Sequence, residues 1–310
     1  MSDSQAQKVE SVTILGIGLI GASFAHALRK ADLATSICGF DLCAETVKRA
    51  KEIGVIDHIA PDLPTSIATS ALIVIAAPVG AINDLCEAIN QHAKPDTLII
   101  DVGSVKEAVV DAANGLRDDL YFVPCHPISG TEQSGPDAGF AELFENRWSI
   151  LTPLKRSDQA YEEAVKHAAA IWRAIGADVE IMDAKHHDLA LAVTSHLPHL
   201  IAFTLVGAAD DIETVAQSEI VKYSAGGFRD FTRIAASDPI MWRDVFLNNR
   251  EAILEVLGRF SEELAVMQRA IRWGDGNALE EAFSRGRTLR KAIVDAGQET
   301  SHPNFGRDQK

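Results

Sequence analysis

Three short segments hold the side chains best suited to acid–base chemistry. Cys125-His126-Pro127-Ile128-Ser129-Gly130-Thr131-Glu132 sets a histidine between Pro124 and Pro127. Asp101-Val102-Gly103-Ser104-Val105-Lys106 offers a hydroxyl flanked by charges, and His187-Asp188 precedes Ser195-His196-Leu197-Pro198-His199. Oxidising an alcohol requires its hydroxyl to lose a proton as hydride leaves the carbon, and a neutral imidazole is suited to take that proton. His126 is therefore the candidate base; the plainer alternative is a histidine that braces its loop. Cys125 is adjacent, but neighbours in an extended segment point opposite ways, so a Cys–His nucleophile is not expected. His196 and His199 lack a third ligand at a recognisable spacing, and no metal is expected. Asp188 and His199 are 11 residues apart; on a regular helix they fall within about 20° of one face. They either line a site together or are satisfied polar groups in a buried helix. Pro198 should bend that helix just before His199.

A glycine-rich turn supplies a second kind of chemistry. Gly16-Ile17-Gly18-Leu19-Ile20-Gly21 follows a β-rich run and opens a helical one. Gly16 permits the tight turn, Gly18 leaves room for a pyrophosphate, and Gly21 lets helix and strand pack closely. The N–H groups of the first helical turn, from Leu19, Ile20 and Gly21, then face the phosphates with the positive end of the helix dipole. Asp41 stands 20 residues after Gly21, where a second strand ends. A carboxylate there accepts from the adenosine ribose hydroxyls and repels a 2′-phosphate, so the expected cofactor is NAD rather than NADP.

The formal net charge is -15, which excludes a nucleic-acid partner needing a basic surface. An anionic substrate would need a local cationic island. One runs from Lys222 to Arg250, with five basic residues (Lys222, Arg229, Arg233, Arg243, Arg250) against three acidic ones (Asp230, Asp238, Asp244). An arginine fork there could bind a carboxylate bidentately, or form a surface ion pair. Asp238-Pro239 has the form of an N-cap followed by proline at the first helical position, opening the helix that carries Trp242 and Arg243.

These residues need a scaffold, and the chain alternates strands and helices through its first half. Val12–Leu15, Ser36–Phe40, Leu72–Ala76, Leu98–Val102 and Tyr121–Pro124 are expected strands; Ala22–Lys30, Ala44–Ile53, Ile82–Ala93 and Lys106–Leu116 are expected helices. The alternation implies a parallel sheet covered on both faces. It continues through a strand at Trp148–Thr152, a helix at Asp158–Ile175 and a strand at Asp178–Met182, then gives way to helical periods alone. The expected fold is α/β: a Rossmann-type parallel-sheet domain over residues 1–183, followed by an all-α domain over residues 184–310, with a cleft between them. Ile253, Leu257, Phe260, Leu264, Met267 and Ile271 form one apolar stripe on a long helix, by which either domain packing or a subunit seam would be served. The apolar stretch Leu189–Ala209 carries Ser195, His196, Pro198 and His199 in its middle, which favours a helix buried inside protein over a membrane span. The four cysteines lack C-x-x-C spacing and the polar N-terminus lacks a signal peptide's apolar core. Both point to a cytoplasmic protein with reduced thiols.

Taken in order, GIGLIG, DVGSVK, HPISGTEQSG, TSHLPHLIAFTL and GGFRDFTRIAASDPIMWRD resemble the prephenate/arogenate (cyclohexadienyl) dehydrogenase family, from about Val12 to Arg290. The resemblance implies NAD-dependent oxidative decarboxylation of prephenate to 4-hydroxyphenylpyruvate, or of arogenate to tyrosine. It implies that His126 polarises the ring hydroxyl, that Ser104 supports that hydroxyl and the histidine, that His199 lines the substrate site and that Arg233 grips a substrate carboxylate. Glu132 and Asp188 match positions that gate or bridge the pocket, and Trp242 one near the substrate. The family's helical half forms a homodimer, which favours the seam. The residues outside the resemblance leave no expected room for a regulatory domain or a fused mutase, so tyrosine feedback would act at the active site. The rival readings are a β-hydroxyacid dehydrogenase or imine reductase of similar plan, and a non-enzymatic NAD-sensing regulator.

Overall fold

Leu72–Ile75 and Leu98–Asp101 are buried at every position, as strands covered on both faces must be. In the structure, a computed structural model that describes residues 6–131, 133–210, 224 and 226–295, they lie near the middle of a six-stranded sheet. The sheet contains β1 (Val9–Leu15), β2 (Ala34–Phe40), β3 (His58–Ile59), β4 (Leu72–Ile75), β5 (Leu98–Asp101) and β6 (Tyr121–Val123) in the order 3-2-1-4-5-6, all parallel. That is the doubly wound dinucleotide-binding order. The helices α1 (Leu19–Lys30), α2 (Ala44–Glu52), α3 (Leu63–Thr69), α4 (Ile82–His92) and α5 (Glu107–Ala113) alternate with its strands. The chain reverses the strand order between β1 and β4, so ligands are received at the carboxyl ends there.

The pattern does not continue into the same sheet as expected. β7 (Cys125–Pro127), β8 (Trp148–Leu151) and β9 (Asp178–Ile181) form a separate three-stranded sheet, with β7 antiparallel to β8 and β8 parallel to β9. The expected strand at Tyr121–Pro124 closes at Val123, and the chain enters β7 two residues later. α6 (Gln159–Ala174) connects β8 to β9, capped by Asp158, whose carboxylate accepts from Tyr161 N–H. Phe24 of α1 packs on Phe144 and Trp172, tying α6 to the first βα unit.

Beyond β9 the described chain is helical: α7 (Ala184–Leu191), α8 (Leu197–Asp210), α9 (Gly226–Thr232), α10 (Pro239–Asn248), α11 (Arg250–Trp273) and α12 (Gly276–Asp295). Asp183 caps α7 and Asp238 caps α10, with Pro239 at the first position as its sequence foretells. A π-turn at Ala192–His196 joins α7 to α8. It falls just before Pro198, whose missing N–H and ring disturb the regular bonding of the preceding turn.

Two compact units emerge, one ending at Ile253 and the other beginning at Leu254. The first contains both sheets and the helices through α10. Val79, Val105, Trp242 and Val245 form an apolar cluster that seats α10 against the loops after β4 and β5. The second contains most of α11 and all of α12, linked by an Arg285–Glu263 ion pair. The expectation that Leu189–Ala209 is a helix buried inside protein needs correction. Ala184–Ala209 is apolar and long enough to cross a membrane by length and composition. His187, Asp188 and His196 are buried, but Leu189, Val193, Leu205 and Val206 are exposed on the single chain. One side of this helix packs inward through its polar groups while apolar residues elsewhere on it remain uncovered.

Candidate active site

Asp101 ends β5 with its side chain buried, and it organises the loop that follows. Its Oδ2 accepts from Gly103 N–H at 2.8 Å and its Oδ1 from Cys125 N–H at 2.9 Å. Lys106, fully buried, pairs with the same carboxylate and donates to the Cys125 carbonyl at 2.7 Å. The backbone N–H and C=O of the residue before His126 are therefore both held by one buried ion pair. Removing one partner of such a pair leaves an uncompensated charge and typically costs about 3–5 kcal/mol. The sequence shows DVGSVK as a motif but gives no sign that its lysine points inward. Ser104 lies half-buried in this same loop; no hydrogen bond from it to His126 is seen among the described residues.

His126 pairs with Ile150 across β7 and β8, and the alternation of a strand separates it from Cys125. The Cys125 thiol is fully buried, lies 3.2 Å from the Val123 carbonyl oxygen, and is pushed up by burial. It takes no part with His126. The imidazole partners lie on α7 instead. His126 Nδ1 is 2.8 Å from His187 Nε2, and His187 Nδ1 is 2.7 Å from Asp188 Oδ1. Asp188 accepts in turn from the Lys106 N–H at 2.7 Å and the Glu107 N–H at 2.8 Å, capping the start of α5. Asp188 is expected to line the substrate pocket; here both its oxygens face protein donors and it is fully buried. Burial holds the His126 pKa well below its ordinary value, reinforced by His187, Lys106 and His196. Burial also lowers His187, although Asp188 pulls the other way. Both rings are neutral bases near pH 7.

The second cluster surrounds Trp242. His199 stacks on its ring at 3.7 Å with a 24° tilt, and His196 meets it edge-on at 6.0 Å. Asn249, missed at the sequence level, donates to the Asp188 carbonyl at 2.8 Å and lies 3.0 Å from His196 Nδ1. It ties the two clusters together, so that Asp188 and His199 are related through His196 rather than by direct contact along a regular helix. Burial brings the His196 pKa down to about 4. His199 donates from Nδ1 to the Ser195 carbonyl at 2.9 Å, which leaves Nε2 as an acceptor. Its pKa is lowered by burial first and by the nearby positive charge of Arg233. Arg233 itself is exposed, in the short 3-10 turn Arg233–Ala236 after α9. Among the described residues no group of three His, Cys, Asp or Glu side chains is placed to hold a metal. Glu132 and Lys222 lie outside the described residues.

The glycine turn passes a steric test for a dinucleotide. Gly16 has φ +98°, and a Cβ there would lie 2.6 Å from the Ala76 carbonyl oxygen. A Cβ at Gly21 would lie 2.1 Å from the Gly16 oxygen, so helix and loop touch through this glycine. A Cβ at Gly18, by contrast, would meet nothing within 4 Å: the space beside Gly18, just before the N–H groups of Leu19 and Ile20 that open α1, is free where a pyrophosphate would approach. Asp41 accepts from Ile17 N–H and Cys43 N–H, each at 2.9 Å. It braces the turn and still has acceptor capacity for ribose hydroxyls, since a carboxylate offers about four lone-pair positions.

Comparison with known proteins agrees with this architecture. Residues 24–181 match the family model described as prephenate dehydrogenase, nucleotide-binding domain, and residues 183–285 match prephenate dehydrogenase, dimerization domain. The chain is 37% identical over 282 residues to the cyclohexadienyl dehydrogenase of Zymomonas mobilis, covering 91% of this chain and 95% of that one. It is 33% identical to the prephenate dehydrogenase of Bacillus subtilis, covering 93% of this chain and 77% of the relative. A crystal structure of prephenate dehydrogenase from A. aeolicus in complex with hydroxyphenyl propionate and NAD+ superposes with a TM-score of 0.85 at 33% identity, covering 93% of this chain and all of that one.

Proposed function

Because the chain belongs to the prephenate dehydrogenase family, we propose that it oxidatively decarboxylates prephenate, arogenate or both, using NAD, in tyrosine biosynthesis. The observation that carries this reading is the buried, neutral His126, held in β7 with its Nδ1 already engaged by His187. NAD, when bound, accepts the hydride that leaves the ring carbon bearing the hydroxyl. His126 takes the hydroxyl proton as that carbon becomes a carbonyl. Loss of the ring carboxylate as carbon dioxide supplies the electron pair that completes the aromatic ring. The protein has to hold the ring, receive one proton and keep the carboxylates in place.

The remaining roles follow the family's motifs. Ser104 supports the hydroxyl, His199 and Trp242 line the substrate, and Arg233 holds a carboxylate. Glu132 gates the substrate, and Asp188 acts through His187 and the α5 terminus rather than by touching substrate. Gly16, Gly18, Leu19, Ile20, Gly21 and Asp41 hold the cofactor. Residues 1–183 serve the cofactor and residues 184–310 the substrate and dimerisation. The name of the Zymomonas relative supports acceptance of both substrates. The dimerisation domain, together with the exposed Leu264, Ile271, Phe283 and Leu289 of α11 and α12, supports a homodimer. A cytoplasmic location fits the free cysteines.

The test is steady-state turnover of prephenate and of arogenate, each with NAD and NADP, with product identification. Reduction of NAD coupled to release of 4-hydroxyphenylpyruvate or tyrosine is expected, with higher kcat/KM for NAD than for NADP. Failure of both substrates to reduce either cofactor would overturn the activity, and NADP preference would overturn the role given to Asp41.

A further inference from the structure

We propose that His187, oriented by Asp188, is a positioning residue that fixes the tautomer of His126, so that Nε2 is the bare nitrogen offered to substrate. The proposal rests on the reading of His126 as the base and adds what prepares it.

The proton positions follow from the contacts in sequence. Asp188 Oδ1 accepts from the Lys106 backbone N–H and Oδ2 from that of Glu107. The carboxylate therefore acts as an acceptor, and the proton between Asp188 and His187 belongs to His187 Nδ1. A neutral His187 has one ring proton, so its Nε2 carries a lone pair. The 2.8 Å contact from that Nε2 to His126 Nδ1 needs one proton, and only His126 can supply it. A neutral His126 protonated on Nδ1 has a bare Nε2. Both histidines stay neutral because they are buried, with Lys106 close enough to disfavour a further positive charge on either and His196 adding to this at His126.

The same contacts prepare the catalytic step. When Nε2 takes the substrate's hydroxyl proton, His126 becomes an imidazolium and its Nδ1–H bond to His187 becomes charge-assisted. The bond that sets the tautomer of the free enzyme then strengthens as positive charge develops. Asp188 also caps α5 beside the Ser104 loop, so one carboxylate sets the register of both the loop and the base.

Two substitutions separate tautomer control from space filling. In His187→Gln the side-chain amide can reproduce an N–H toward Asp188 and an acceptor toward His126. In His187→Leu neither is present. Removing the correct tautomer should forfeit part of the base's contribution, which is typically about 10²–10⁴ in rate. We expect His187→Leu to lose at least roughly tenfold in kcat with little change in KM, and His187→Gln to recover most of it. Nitrogen-15 NMR of histidine-labelled protein, assigned by the signal lost in His126→Asn, should show His126 protonated on Nδ1 in the wild type and in His187→Gln. An Nε2-protonated His126 in the wild type, equal kcat in folded His187→Leu and wild type, or no rescue by a folded His187→Gln would each overturn the proposal. If His187→Leu fails to fold, the wild-type tautomer and the glutamine variant still decide it. The NMR measurement needs no substrate. A wild type that turned over neither substrate would thus count against the activity alone.

Discussion

Arg233 is exposed, and its positive charge adds to burial, the main cause, in lowering the His199 pKa, against the hydrogen bond to Ser195. A side-chain carboxylate of the substrate is present in ground and transition states alike, so its loss of contact should appear as uniform binding. A charge-assisted contact is worth roughly 1.5–3 kcal/mol, and Arg233→Ala should therefore raise KM about ten- to hundredfold with kcat little changed. Unchanged KM with a lowered melting temperature would make Arg233 a structural residue instead. At this scale the sequence exposes His126, Asp41 and the three glycines because each sits in a motif whose spacing is local. Lys106 and His187 stand in the segments that the sequence singles out, but their roles there are not legible, and Asn249 is not singled out at all. His187 and Asn249 have partners remote in the chain: His187 meets His126 61 residues away, and Asn249 meets His196 53 residues away. No local period encodes those contacts.

The elements tell a similar story. β1, β4 and β5 are short, β-branched and largely buried, so their period and composition identify them, and β2 is only partly buried but lies in the same alternation. β3 has only two residues, too few to carry a pattern. β8 and β9 are recognisable as strands, but period two does not say which strand is a partner or in which direction it runs. Their placement in a second sheet is a tertiary outcome, and it matters because β8 pairs with the strand that holds His126. Pro198 announces a disturbance in its helix; the structure answers with a π-turn at Ala192–His196. The turn changes the angular relation between Asp188 and His199 that a regular helix would give.

For the whole molecule, the open question in the sequence is the apolar stripe. On the single chain Ile253 is buried, whereas Leu264 and Ile271 remain exposed. The proposed homodimer would cover that far end. Sedimentation at low micromolar concentration should give about twice the 33.4 kDa chain mass. A single species at the chain mass would assign the stripe another occupant. The net charge of -15 sets a further demand: an anionic substrate must be drawn to a local group of cations within a repulsive field.

In the proposed reaction one proton is decisive, the one His126 takes from the substrate hydroxyl. The most direct test is the pH dependence of kcat/KM for the wild type and His126→Asn, alongside the Kd for NAD. Because the His126 pKa is lowered from its ordinary 6.5, the base stays unprotonated, and the wild type active, to below that pH; activity should fall only as pH drops through the lowered value. His126→Asn should lose that acid limb and about 10²–10⁴ in kcat while binding NAD normally. A variant that keeps near wild-type kcat, with the acid limb intact, would remove His126 from the role of base.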